Sequence, residues 1–67
     1  MIGTVKWFNA QKGYGFIQPE NGDKDTFVHI SAVEQSGLGD LREGQKLSYE
    51  IEHGQQGKTS AVRLAAA

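Results

Sequence analysis

The chain has 67 residues, 37% of them hydrophobic and 22% charged, and 7 Lys and Arg against 8 Asp and Glu give a formal net charge of -1. A domain this short hides only about 60% of the surface that its unfolded chain exposes, so its core must be thin. With no cysteine and only His29 and His53 as nitrogen donors, a disulfide staple and a Cys/His zinc constellation are excluded, and the near-zero net charge excludes recruitment of a polyanion by bulk electrostatics.

No apolar run approaches the roughly 18 residues of a membrane helix, and residues 1–6 lack a signal-peptide core. Ile2 is not a myristoylation glycine and Ala65-Ala66-Ala67 is not a prenylation box. The expectation is a single soluble domain over residues 1–67, cytoplasmic, monomeric and without membrane partner or cofactor.

Short stretches rich in β-branched and aromatic residues recur between Gly, Asn and Asp clusters, and helical periodicity never persists beyond a turn. The first strand is predicted over about Ile2 to Asn9 and the second over about Tyr14 to Gln18, with Ala10 to Gly13 as the turn. Asn21-Gly22 suits a type I′ turn before a third strand, about Thr26 to Ile30. The stretch from Ser31 to Gly44 reads as a loose loop with at most one helical turn near Ser31-Ala32-Val33. A fourth strand alternates Leu47, Tyr49 and Ile51 against Lys46, Ser48, Glu50 and Glu52. The fifth covers about Lys58 to Leu64, with Val62 and Leu64 on one side. Five short strands and no long helix predict an all-β fold, a small barrel closed to remove its edges.

The side-chain period of two puts Tyr14, Phe16 and Gln18 on one face of the second strand, and Asp25, Phe27 and His29 on one face of the third. The opposite faces carry Ile17, Val28 and Ile30. Asp25, His29 and Gln18 are costly to bury unpaired, so the aliphatic face should line the barrel, filled by Val5, Ile17, Val28, Leu47, Ile51 and Val62. Tyr14, Phe16 and Phe27 are then turned to water, and exposed rings forgo roughly 1.5 to 3 kcal/mol of burial each, the mark of an interaction surface.

Lys6, Lys12 and Lys24 stand at the rim of this surface, and residues 1–19 hold two lysines and no acid. Rings for unpaired bases and ammonium groups for phosphates are the chemistry of single-stranded nucleic-acid binding. Gly13 and Gly15 add positions where a ligand backbone can approach closely. Lys12-Gly13-Tyr14-Gly15-Phe16-Ile17 also opens like the ribonucleoprotein signature, but the chain has no pair of helices to back an RNA-recognition sheet. An aromatic groove on an SH3-like barrel, taking a proline-rich peptide, is the competing reading. With no Cys, no metal cluster and no acid pair flanking a His, an enzyme is not expected.

Lys6-Trp7-Phe8-Asn9, Lys12 to Ile17, Phe27-Val28-His29-Ile30 and Glu43-Gly44-Gln45 together make the chain resemble a bacterial cold shock protein over essentially its whole length. The resemblance implies a five-stranded antiparallel OB-fold that binds single-stranded RNA and DNA with little sequence preference, as an RNA chaperone and transcription antiterminator. It makes Trp7, Tyr14, Phe16, Phe27 and His29 base-contacting, with Lys6 and Lys12 near phosphate. Asp25, on the ring face by its parity in the third strand, would repel phosphate but could accept from a base amino group. Two positions where the family often has rings are here Ile30 and Leu38, so apolar contact replaces stacking. The usual Gly-Pro after the fourth strand reads Gly57-Lys58, which adds a cation, and Gln55 and Gln56 could meet a base edge. Trp7 is the ambiguous ring: an unbroken strand puts it on the side of Val5, in the core, whereas a bulge would turn it out with Phe8 packed beneath.

Overall fold

Val5, Ile17, Val28 and Leu47, one from each of four strands, are all but sealed from solvent and form the middle of the core. The computed structural model describes residues 1–54 and 58–67. Its strands are β1 (Ile2–Asn9), β2 (Tyr14–Pro19), β3 (Thr26–His29), β4 (Lys46–His53) and β5 (Thr59–Ala66), with the helix α1 (Ile30–Gln35) between β3 and β4. The strands close into a barrel in the order β1-β2-β3-β5-β4. The predicted all-β barrel of OB type is therefore present, with a correction: the sheet is mixed, because β3 meets β5 in parallel through Phe27 and Ser60.

The β1–β2 register steps from Val5 opposite Ile17 to Trp7 opposite Phe16. Lys6 is the extra residue of a β-bulge, and it reverses the side-chain alternation beyond it. Val5 stays in the core, Trp7 turns to the outer face, and Phe8 packs partly against the core. Gly15, opposite Phe8, makes room for this. A Cβ there would collide with the Trp7 carbonyl oxygen and lie 2.7 Å from Phe8 Cα. The space beside Gly15 is thus filled by the chain itself, which corrects the expectation that this glycine admits a ligand backbone.

A second irregularity lies in β5. Tyr49 of β4 stands opposite two residues, between the pairs Ser48–Ala65 and Glu50–Val62, and Arg63 takes φ 50°, a left-handed conformation unusual for a side-chain-bearing residue. The inward residues of β5 are consequently Ala61 and Leu64, and the predicted filler Val62 is only half-buried, as is Ile51. Arg63 Nε donates to Glu50 Oε2 at 2.6 Å. That hydrogen bond, then the guanidinium charge, holds the Glu50 carboxyl below its ordinary range.

The turn chemistry departs from expectation at Asn21-Gly22. Gly22 alone adopts positive φ, at 84°, and its N–H donates to the Pro19 carbonyl. The turn is therefore not type I′. The Asn21 side chain accepts from Asp23 N–H instead, an Asx turn. The region after His29 is more ordered than a loose loop. Ser31 N–H donates to His29 Nδ1 at the start of α1, and Ala32 and Val33 are buried. Gly37 N–H donates to Glu34 O and Leu38 N–H to Val33 O, a Schellman ending with Gly37 at φ 76°. Leu38 then packs on the core, and Ser36 Oγ accepts from Leu64 N–H, tying the helix end to β5.

Tyr49 is 2% exposed, and its hydroxyl finds no hydrogen-bond partner among the described residues. An unpaired buried hydroxyl costs about 1–3 kcal/mol. Tyr49→Phe keeps the ring and removes that oxygen, so the urea midpoint should rise, by about 1 kcal/mol of stability at unchanged m-value. A lower midpoint would show that the hydroxyl is satisfied in solution.

Candidate nucleic-acid interface

The register of three strands assembles the site. Phe16 of β2 lies between Trp7 of β1 and Phe27 of β3, and one step along the sheet Tyr14 lies between Asn9 and His29. Two cross-strand rows of side chains result, all on the outer face, because Gly15, Ile17 and Val28 point inward.

The rings form a continuous cluster. Trp7 meets Tyr14 and Phe16 edge-on at centroid distances of 5.6 and 5.4 Å. Tyr14 stacks on Phe27 at 5.8 Å, and Phe16 meets Phe27 edge-on at 5.9 Å. Phe27 reaches His29 at 6.3 Å. Trp7, Tyr14, Phe16 and Phe27 are half-buried and His29 is exposed. Ring contacts of this kind are worth about 0.5–1.5 kcal/mol each. They hold the rings against one another while leaving faces open to solvent.

His29 has a second task. Its Nδ1 accepts from Ser31 N–H at 3.1 Å and lies 2.9 Å from Ser31 Oγ. The ring hydrogen is assigned to Nε2 on that basis, which fixes the ring and leaves Nε2–H as a donor.

The cations are arranged unevenly. Lys12 is exposed in the β1–β2 turn, where its N–H donates to Asn9 Oδ1. Gly13, at φ 87°, completes that turn, and its own N–H donates to Asn9 O while its carbonyl accepts from Ile30 N–H. The Ile30 side chain lies beside Gly13. Lys6, the bulge residue, is paired with Asp25 at 3.0 Å, with side-chain exposures of 56% and 33%. Asp25 is exposed and immediately precedes β3. Its negative charge offsets Lys6, a coupling that residue spacing could not reveal. Lys24 is exposed beside Asp23 and Asp25. Leu38, half-buried against the core, is set by the helix ending and not by the ring cluster. Gln55 and Gln56 lie outside the described residues.

Two positions that the ring pattern did not single out adjoin the cluster. Lys58 and Thr59 are exposed and, with Phe16 and Phe27, line a depression of about 530 Å³. Only the closure of β3 on β5 brings them there.

Among the described residues no helix is long and apolar enough to cross a membrane, and no cluster of three or more His, Cys, Asp or Glu could hold a metal ion. Residues 1–66 match the family described as the 'Cold-shock' DNA-binding domain. A probable cold shock protein of Sinorhizobium fredii is 62% identical over 65 residues, 96% of this chain and 94% of the relative. Cold shock protein CspA of Rhizobium meliloti is 58% identical over 66 residues, 97% and 96% of the two chains. Cold shock-like protein CspE of Escherichia coli strain K12 is 52% identical over 63 residues, 94% and 91%. These matches do not support the SH3-like alternative. With the ring cluster on the outer face of a closed five-stranded barrel, they establish that the chain belongs to the cold shock domain family of non-enzymatic nucleic-acid-binding proteins.

Proposed function

We propose that the protein binds single-stranded RNA and DNA with low sequence preference and acts in the cytoplasm, as a monomer, as an RNA chaperone and transcription antiterminator. The observation that supports this most directly is the continuous, solvent-open cluster of Trp7, Tyr14, Phe16, Phe27 and His29. Bases stack on these rings in any sequence, because every base has a π-face. His29 Nε2–H donates to a base edge. Ile30 and the open part of Leu38 add apolar contact. Lys12 meets a phosphate, and Lys6 meets another by releasing Asp25, whose carboxylate then accepts from a base amino group.

At about 1–3 kcal/mol per stacked base, less the cost of ordering the strand, affinity should be about micromolar. A duplex buries the base faces that the rings require, so the protein captures open segments and shifts weak hairpins toward the melted state without ATP. Lys6 and Lys12 contribute at most about -1.4 to the slope of log K against log salt, at roughly -0.7 per single-strand phosphate contact.

Titration with oligo-dT tests the reading. Trp7 is the only tryptophan and lies in the cluster, so its emission should be quenched by oligo-dT and left unchanged by a proline-rich peptide or by duplex DNA of equal length. Quenching by the duplex alone would overturn single-strand selectivity. A labelled weak RNA hairpin should open on addition of protein, and a hairpin that stays closed at saturating protein would remove the chaperone activity.

A further inference from the structure

Thr59 lines two depressions of about 530 Å³, and their linings differ in charge. The first holds the carboxyl groups of Asp23 and Asp25 together with Lys24 and His53. The second is lined by the rings of Phe16 and Phe27 and by Lys58 and Thr59, with no acid. Both are within the roughly 300–1,000 Å³ of ordinary ligand clefts, but only the second suits a polyanion with flat apolar units.

The second depression is continuous with the ring cluster, because Phe16 and Phe27 belong to both. The parallel pairing of Phe27 with Ser60 places the start of β5 against the end of the row Trp7–Phe16–Phe27. Lys58 forms no ion pair among the described residues, in contrast to Lys6, which is held by Asp25, and Lys46, which is 3.7 Å from Glu20. An exposed ammonium with no carboxylate on it, at the edge of an apolar floor, is complementary to a phosphate beside a base.

We propose that the depression between Phe16, Phe27, Lys58 and Thr59 is a further nucleotide subsite, in which one base covers the ring edges and the Lys58 ammonium meets the adjoining phosphate. It extends the strand's path past Phe27 onto β5, and it rests on the reading of the ring cluster as a single-strand interface. Lys58 is thus a third phosphate contact, and it takes the wild-type salt slope from at most about -1.4 to about -2.

The test compares wild type, Lys58→Gln, Lys58→Arg and Lys46→Gln, by anisotropy of labelled oligo-dT between about 50 and 200 mM salt. Lys46→Gln removes the same charge from a residue of β4, which pairs with β1 and β5 and not with the ring-bearing β2 or β3. Lys58→Gln should make the slope shallower by about 0.7, with Lys58→Arg and Lys46→Gln unchanged. Equal slopes for Lys58→Gln and Lys46→Gln, with tight wild-type binding, would overturn the subsite and leave the ring interface standing. If wild type does not bind oligo-dT at all, the interface itself fails, and the subsite with it.

Discussion

Gly15→Ala is expected to cost about 3 kcal/mol or more, the upper end of the overpacking range, and to leave the protein largely unfolded at 37 °C. The added methyl has no space to enter. It would overlap the Trp7 carbonyl oxygen and the Cα of Phe8 at 2.7 Å, and these are backbone atoms of β1, which cannot rotate away as a side-chain end can. Relief requires β1 and β2 to separate where the bulge turns Trp7 out and Phe8 in. A core of this size rarely supplies more than about 3–5 kcal/mol, so the loss approaches the whole stability. Gly22→Ala is the internal comparison: its φ of 84° is unfavourable for alanine, but nothing lies within 4 Å of the new methyl. That change should cost only about 1–2 kcal/mol. Urea unfolding followed by circular dichroism ranks the two, and equal midpoints would show that the close approach at Gly15 is relieved cheaply.

Phe27→Ala should weaken oligo-dT binding about ten-fold or more, within the 1–3 kcal/mol of one stacked base, while the barrel remains folded. Phe27 is in ring contact with Tyr14, Phe16 and His29. It is only half-buried and lies outside the core, so the stability loss should be well below that of a core truncation, which runs at about 3–5 kcal/mol for phenylalanine. Phe16→Ala should act similarly. The double variant should lose less than the product of the two, because the rings touch at 5.9 Å and share their orientation. Anisotropy of a labelled oligonucleotide measures all three without depending on Trp7 emission. A folded Phe27→Ala protein with wild-type affinity would remove the ring from the binding surface.

Much of this architecture was legible because strands write their two faces into a period of two. The cost of burying Asp25, His29 or Gln18 identified the aliphatic sides of β2 and β3 as the lining, and Ile17 and Val28 are indeed sealed. Where that period broke, reading it failed or stayed open. The bulge at Lys6 could be posed as an alternative but not selected by spacing alone. The double residue opposite Tyr49 was not foreseen, so Val62 was given the place that Ala61 and Leu64 occupy. The pairing of Asp25 with Lys6 depends on a contact 19 residues apart, which the alternation of β3 does not encode. Lys58 was visible as an added cation. Its position beside Phe27 follows from the parallel closure of β3 on β5, a long-range pairing that no local pattern encodes. The helix ending at Gly37 gave no periodic signal, since α1 is only 6 residues long.

The five rings all fall between Trp7 and His29, on three strands that lie side by side in chain order. The ring cluster is therefore carried by one contiguous block of sequence, while its border at Lys58 and Thr59 comes from a distant segment, the start of β5. A substitution at position 58 therefore alters the border of the cluster without touching any of the strands that carry the rings.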